Sequence, residues 1–266
     1  MVKPSSELEA VAADLLAARR DRRPIPAIRT RLTPGDIETA YVLQGLVTAG
    51  MGRAAGRKIG LTSTAAQAQL GVGEPDVGML FAAMAVEGCT LPVDGFIAPF
   101  LEGEIAIRVG KDIDTNVDAA ALAAAIDGVA TAFEVVDSAI TGWDVGIVDV
   151  IADNACCAGF MTGPWQAFTS GDALLRARMS LAREGVIQVF GGGDACPGGP
   201  LAAFGWLAAK AIAMGRPLRA GEVVLAGSLA PMVPLEAGRW TLRVDGFAPL
   251  RLRVATTNEN DLETLA

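Results

Sequence analysis

The sequence predicts an α+β fold, in which a helical N-terminal segment precedes a β-rich body. Three observations point there. Helix-start signals occur twice in the first 40 residues, at Ser6-Glu7-Leu8-Glu9 and Thr33-Pro34-Gly35-Asp36. From Gly56 onward, short apolar runs alternate with Gly and Pro turns. Strands this short and numerous suit a sandwich or rolled barrel better than a regular βαβ repeat.

The elements follow in order. Ser6 to Glu9 reads as a capping box opening a helix to about Arg20, with Leu8, Val11, Leu15 and Leu16 as its apolar stripe. Pro24 and Pro26 end it. Thr33 as N-cap and Pro34 in the first helical position start a second helix that runs to about Ala49. These helices make an N-terminal segment over residues 1–55, and the β-rich body spans 56–256. Its expected strands are Lys58–Leu61, Ile105–Val109, Val129–Val136, Cys157–Thr162, Val186–Phe190, Glu222–Ala226, Trp240–Val244 and Leu250–Val254. Helices are expected over Ala119–Ile126 and from Pro200 to near Gly215. Residues 257–266 form a polar tail.

Composition narrows the function. The 266 residues are 52% hydrophobic and 20% charged, enough for a sizeable core and against disorder. The net charge of -8 excludes a basic nucleic-acid face; the densest cationic run, Arg19 to Arg23, reads as a solvated helix end. Cys89, Cys156, Cys157 and Cys196 form no C-x-x-C pair and are expected to be reduced, buried thiols. The first ten residues carry no apolar leader core, and no uninterrupted apolar run is long enough to span a bilayer, so a cytoplasmic location is expected. The chain contains no histidine. That excludes Ser-His-Asp and Cys-His catalysis and His-ligated zinc. A metal site must then be built from oxygen, unless thiols join in, and oxygen-only sites favour Mg, Mn or Ca.

Several residues could carry chemistry. Glu102 and Glu104 flank Gly103 at the head of a strand-like run, so alternation points both carboxylates to one face. They read either as solvated edge glutamates or as metal ligands. Glu134 lies inside the apolar run Val129–Val136, where a carboxylate needs a cation: a distant arginine or a metal. Lys58 heads another apolar run; it is either a snorkelling strand-end lysine or a buried acid–base group with a lowered pKa. Pro75-Asp76-Val77-Gly78 is a turn signal. The run Gly191 to Pro200 fits no phosphate-loop pattern and reads as a flexible loop leading into a helix, with backbone N–H groups that could line a pocket.

Taken together these motifs resemble the 2-keto-4-pentenoate hydratase and 4-oxalocrotonate decarboxylase family, within the fumarylacetoacetate hydrolase superfamily. The likeness rests on Lys58-Ile59-Gly60-Leu61-Thr62-Ser63, Pro75 to Gly78, Glu102-Gly103-Glu104-Ile105-Ala106, Glu134 to Ser138, Asp149 to Ala155, Trp206-Leu207-Ala208 and Pro217 to Ser228, in that order and spacing. The resemblance implies a mixed β-sandwich or roll and a homo-oligomer. It implies Glu102, Glu104 and Glu134 as ligands of Mg2+ or Mn2+, and Lys58 and Asp76 as catalytic residues. Leu61, Ser63, Asp153, Asn154 and Ser228 are then the expected substrate-binding residues. The family usually has Gln-Pro-Arg before the first ligand; here the residues are Ala98-Pro99-Phe100.

The expected reaction is hydration of a 2-hydroxy-2,4-dienoate to a 4-hydroxy-2-oxo acid, with Lys58, tuned by Asp76, moving protons. Decarboxylation of a 4-oxalocrotonate-type acid is the alternative. Hydrolysis of an acylpyruvate fits less well without a Glu-His pair, and a weakly active partner subunit remains a reading of another class.

Overall fold

In the computed structural model, residues 5–32 and 36–256 are described. The first helix, α1 (Ser6–Asp21), is capped one residue earlier than expected: the Ser5 hydroxyl accepts the Leu8 N–H at 3.3 Å. Its buried stripe is Val11, Ala12, Leu15 and Ala18, whereas Leu16 faces outward. Thr33, Pro34 and Gly35 lie outside the described residues. The Asp36 carboxylate accepts the Thr39 N–H at 2.9 Å and caps α2 (Ile37–Thr48), so the second helix starts later than the Thr33 signal suggests.

The β-rich body then runs β1 (Ala54–Gly60), α3 (Thr64–Leu70), β2 (Asp76–Phe81), β3 (Thr90–Pro92), β4 (Phe100–Val109), α4 (Ala119–Ala124), β5 (Ile126–Val136), α5 (Ile147–Ala152) and β6 (Cys157–Thr162). It continues with α6 (Gly171–Arg176), β7 (Arg178–Arg183), β8 (Val186–Gly192), α7 (Gly199–Ala213), β9 (Val223–Ser228), β10 (Val233–Pro234), β11 (Gly238–Val244) and β12 (Leu250–Ala255).

Some elements differ from expectation for physical reasons. Asp76 to Gly78 is not a turn: it opens β2, which pairs antiparallel with β1 from Gly60↔Asp76 to Ala54↔Phe81. Tertiary pairing overrides the turn chemistry of Pro75 and Gly78. The run Ile147-Val148-Asp149-Val150-Ile151-Ala152 is helical despite its β-branched residues. The Asp149 carboxylate accepts the Gly146 N–H at 2.8 Å and starts that helix. The Gly191 to Pro200 run packs closely instead of forming an open loop: a Cβ at Gly191 would fall 1.9 Å from the Leu229 carbonyl oxygen.

Two sheets result. The larger has the order β2-β1-β9-β4-β5-β6, with β10 on β4; the smaller has the order β3-β12-β11-β7-β8. Leu101, Ile105 and Ile107 of β4 join Met179, Trp240 and Leu242 of the smaller sheet in the main core. The other face of β4 turns inward, because the larger sheet rolls until its ends meet. Ala85, beyond β2, bridges Phe160 of β6, and the Val86 N–H donates to the Phe160 carbonyl at 2.8 Å. Leu80, Ala106, Ala132, Cys157, Phe160 and Leu225 line that enclosed face. The two N-terminal helices close one end by packing Val11, Leu15, Leu43 and Val47 on Ala139, Ile140 and Ala152.

Candidate active site

The enclosed face of β4 and β5 carries the carboxylates. Pairing places Glu102 directly opposite Glu134, with Glu104 two residues along β4 on the same side. One oxygen from each of the three lies within 4.8 Å of the others. Glu104 and Glu134 are fully buried, and Glu102 is partly exposed. Oε2 of Glu104 accepts the Gly227 N–H at 2.8 Å. Its Oε1 and both oxygens of Glu134 have no hydrogen-bond partner. Buried carboxylate oxygens without donors are costly, and three on one face repel one another. A divalent cation with oxygen preference answers both problems, so the residues fit the expected metal.

The second half of the site comes from β1 and β2. Lys58 is buried, and its Nζ lies 3.2 Å from Glu134 Oε1, within ion-pair range but without hydrogen-bond alignment. Asp76 is also buried, and neither of its oxygens has a hydrogen-bond partner. Gly60 leaves the gap in which they meet: a Cβ there would lie 2.0 Å from Asp76 Oδ1 and 3.4 Å from Lys58 Nζ.

Electrostatics follow from the crowding. Burial pushes the Glu102 carboxyl up to about 7, aided by Glu134 and opposed by Lys58. Burial, then Glu134 and Glu102, hold Glu104 well above the usual carboxylate range. Asp76 is raised by burial against the pull of Lys58. For Lys58, burial alone would lower the pKa, but Glu134, Asp76 and Glu102 outweigh it and keep the ammonium protonated well above its ordinary range. This reverses the lowered pKa expected from a lone buried lysine.

These shifts carry a pH signature for the metal-free protein. A carboxyl whose folded pKa is raised keeps its proton when folded and loses it when unfolded. The folded state therefore binds more protons between about pH 4.5 and 7, the ordinary and raised values of Glu102. Stability without metal is expected to fall as pH rises through that window. Added Mg2+ is expected to restore it increasingly over the same range, and melting curves with and without Mg2+ at pH 5, 6 and 7 check both trends.

The other expected site residues are placed as follows. Ser228 sits beside Glu102, aligned with Glu104 across β4 and β9, and its hydroxyl donates to the Ala230 carbonyl at 2.6 Å. Leu61, with φ 55°, leaves the end of β1; its carbonyl accepts from Gln67 Nε2 at 2.9 Å. The Ser63 hydroxyl caps α3 by accepting the Ala66 N–H at 3.1 Å. Asp153 and Asn154 are committed elsewhere. Both Asp153 oxygens are taken, one by Arg19 Nε at 2.6 Å and one by the Ala139 N–H at 2.8 Å. The Asn154 amide accepts from and donates to the backbone of Met79 in β2, at 2.8 and 2.9 Å. These side chains hold the framework behind Lys58 and Asp76.

Arg19 is the residue that sequence reasoning missed. It is no solvated helix end: it reaches from α1 to Asp153 and also donates to the Asp137 carbonyl at 2.9 Å. The signal was present, since Arg19 lies four residues beyond Leu15 on the buried stripe. Replacing Arg19 with methionine would leave Asp153 buried without its cation and is expected to cost about 3 kcal/mol, measured by urea unfolding. Cys157 is a second omission, its thiol raised by burial and by the neighbouring Glu134. All four cysteines are free; Cys156, Cys157 and Cys196 are buried as expected, while Cys89 is exposed.

The chain is similar to several known proteins. The family described as fumarylacetoacetate (FAA) hydrolase C-terminal matches residues 79–255. A 2-keto-4-pentenoate hydratase of Paraburkholderia phymatum is 40% identical over 253 residues, 92% of this chain and 97% of that protein. The TodF product hydratase of Pseudomonas putida is 43% identical over 235 residues, 85% of this chain and 87% of that protein. Among solved structures, 4-oxalocrotonate decarboxylase from Pseudomonas putida G7, complexed with magnesium and adipate, matches with a TM-score of 0.87. It is 26% identical, and the match covers 95% of this chain and 99% of that one. By the family match and by these relatives, the chain belongs to the fumarylacetoacetate hydrolase family.

Proposed function

We propose that this chain is a hydro-lyase, a divalent-cation-dependent hydratase that adds water to a 2-hydroxy-2,4-dienoate and yields a 4-hydroxy-2-oxo acid in the catabolism of aromatic ring-cleavage products. The observation that carries the reading is the Glu102–Glu104–Glu134 cluster, in which Glu104 Oε1 and both Glu134 oxygens are buried without a hydrogen bond, set beside Lys58 and Asp76. Hydratase relatives about 40% identical over most of the chain support the same reaction class.

Glu102, Glu104 and Glu134 would hold Mg2+ or Mn2+. When bound, the cation supplies Lewis-acid polarisation of the substrate's carboxylate and 2-oxygen. Lys58, kept as an ammonium, is placed to hand a proton to the diene as the 2-hydroxyl gives one up, and so to form the conjugated 2-oxo acid. Asp76, buried beside it, would take the 2-hydroxyl proton and pass it to the Lys58 amine, which restores the ammonium. Water then adds at C4, and the enclosed walls of the roll keep other water from the reacting carbons.

Decarboxylation is the second reading, favoured by the likeness to a decarboxylase structure. Product identity separates them. Loss of the dienol absorbance of 2-hydroxypenta-2,4-dienoate, with 4-hydroxy-2-oxopentanoate seen by NMR, is expected. Release of CO2 from 4-oxalocrotonate without hydration of the pentadienoate would favour the decarboxylase instead.

No helix among the described residues is long and apolar enough to cross a membrane, which accords with a cytoplasmic enzyme. We read it as a homo-oligomer, supported by exposed Val186, Ile187 and Phe190 on the edge strand β8, an apolar surface that self-association would cover.

A further inference from the structure

The candidate site is open to solvent at its Glu102 end. On the cluster's face of β4, Glu104 is buried, whereas Glu102 and Phe100 are partly exposed. The register with β5 is unbroken through Phe100↔Val136, Glu102↔Glu134 and Glu104↔Ala132, so alternation puts all three side chains on that face. Solvent therefore reaches the cluster at its Glu102 end, beside Phe100. There the Phe100 ring meets Trp143 edge-on, with centroids 5.2 Å apart and planes at 85°. Trp143 has already spent its donor, because Nε1 donates to the Ala98 carbonyl at 3.0 Å. The nearby Ile97 and Ala98 N–H groups are likewise taken, both by the Asp137 carboxylate at 2.8 Å. This wall offers ring surface and no free side-chain donor.

We propose that Phe100 and Trp143 form the subsite for the substrate's tail and select a hydrocarbon tail over one ending in a second carboxylate. The inference rests on the reading above, that a 2-oxo or 2-hydroxy acid head lies at the Glu102–Glu104–Glu134 cluster. With the head there, the far end of a five- or six-carbon acid extends toward the open end. A carboxylate in that position would shed water without gaining a donor from the ring wall, and would stand near Glu102. An alkyl group would lose nothing and would pack on the rings.

Two acids of equal length test the tail separately from the head. Calorimetry with Mg2+ present compares 2-oxohexanoate, with an alkyl end, and 2-oxoadipate, with a carboxylate end. The wild-type protein is expected to bind 2-oxohexanoate about ten-fold more tightly. Phe100→Leu is expected to keep that preference, and Phe100→Arg to erase or reverse it. The ratio within one variant does not depend on how much of it is folded. Equal or tighter binding of 2-oxoadipate by the wild type overturns the tail subsite while leaving the head assignment intact. So does an unchanged preference in Phe100→Arg. Binding of neither acid overturns the head assignment, and the subsite with it.

Discussion

Replacing Glu134 with glutamine is expected to lower turnover about 10³-fold and to remove measurable Mg2+ binding. Glu134 stands opposite Glu102, both its oxygens are buried without hydrogen-bond partners, and Lys58 lies 3.2 Å away. Glutamine keeps the shape and removes the charge. Glu134 is also the main neighbouring charge that raises both Glu102 and Glu104. Neutralising it relieves that repulsion but takes from the buried Lys58 ammonium its nearest counter-charge, so the two changes oppose each other in metal-free stability. Loss of Mg2+ binding in a variant that still shows a cooperative urea transition without metal separates ligand loss from unfolding. Retained turnover would sink the three-carboxylate assignment.

Replacing Lys58 with methionine is expected to cut kcat by about 10²- to 10⁴-fold, the range for a lost proton-transfer group. The effect on metal has the opposite sign. Lys58 competes with a cation for Glu134, and its removal takes a positive charge out of the site, so Mg2+ binding is expected to persist and to tighten. That combination, weaker catalysis with firmer metal, distinguishes a proton-moving lysine from a structural one. A kcat within two-fold of wild type would show that Lys58 only balances charge.

Much of the site was legible because strand periodicity is rigid. Once Glu102 and Glu104 are two apart in a strand, they must share a face, and Glu134 in a largely apolar run must meet a cation. What could not be read was which strands become neighbours. Lys58 and Glu134 are 76 positions apart in the sequence, and only the β1-β9-β4-β5 order brings them together. Asp76 looked like part of a turn because Pro75 and Gly78 are turn residues; its burial depends on pairing with Gly60, which local propensity does not encode. The helix at Ile147–Ala152 was hidden by β-branched residues and revealed by one capping contact from Asp149. Arg19 was read by its neighbours Arg20, Arg22 and Arg23, when its place on the stripe with Leu15 was the better guide. Asp153 and Asn154 matched a family motif, but the structure uses their polar atoms to hold Arg19, Ala139 and Met79.

The most direct test is diffraction from crystals grown with Mn2+, collected near the manganese absorption edge. One strong anomalous peak is expected, coordinated by Glu102, Glu104 and Glu134 and absent from crystals of the Glu134→Gln variant. Manganese bound elsewhere, or a cluster that stays free of manganese while the protein still hydrates the dienoate, would contradict the account.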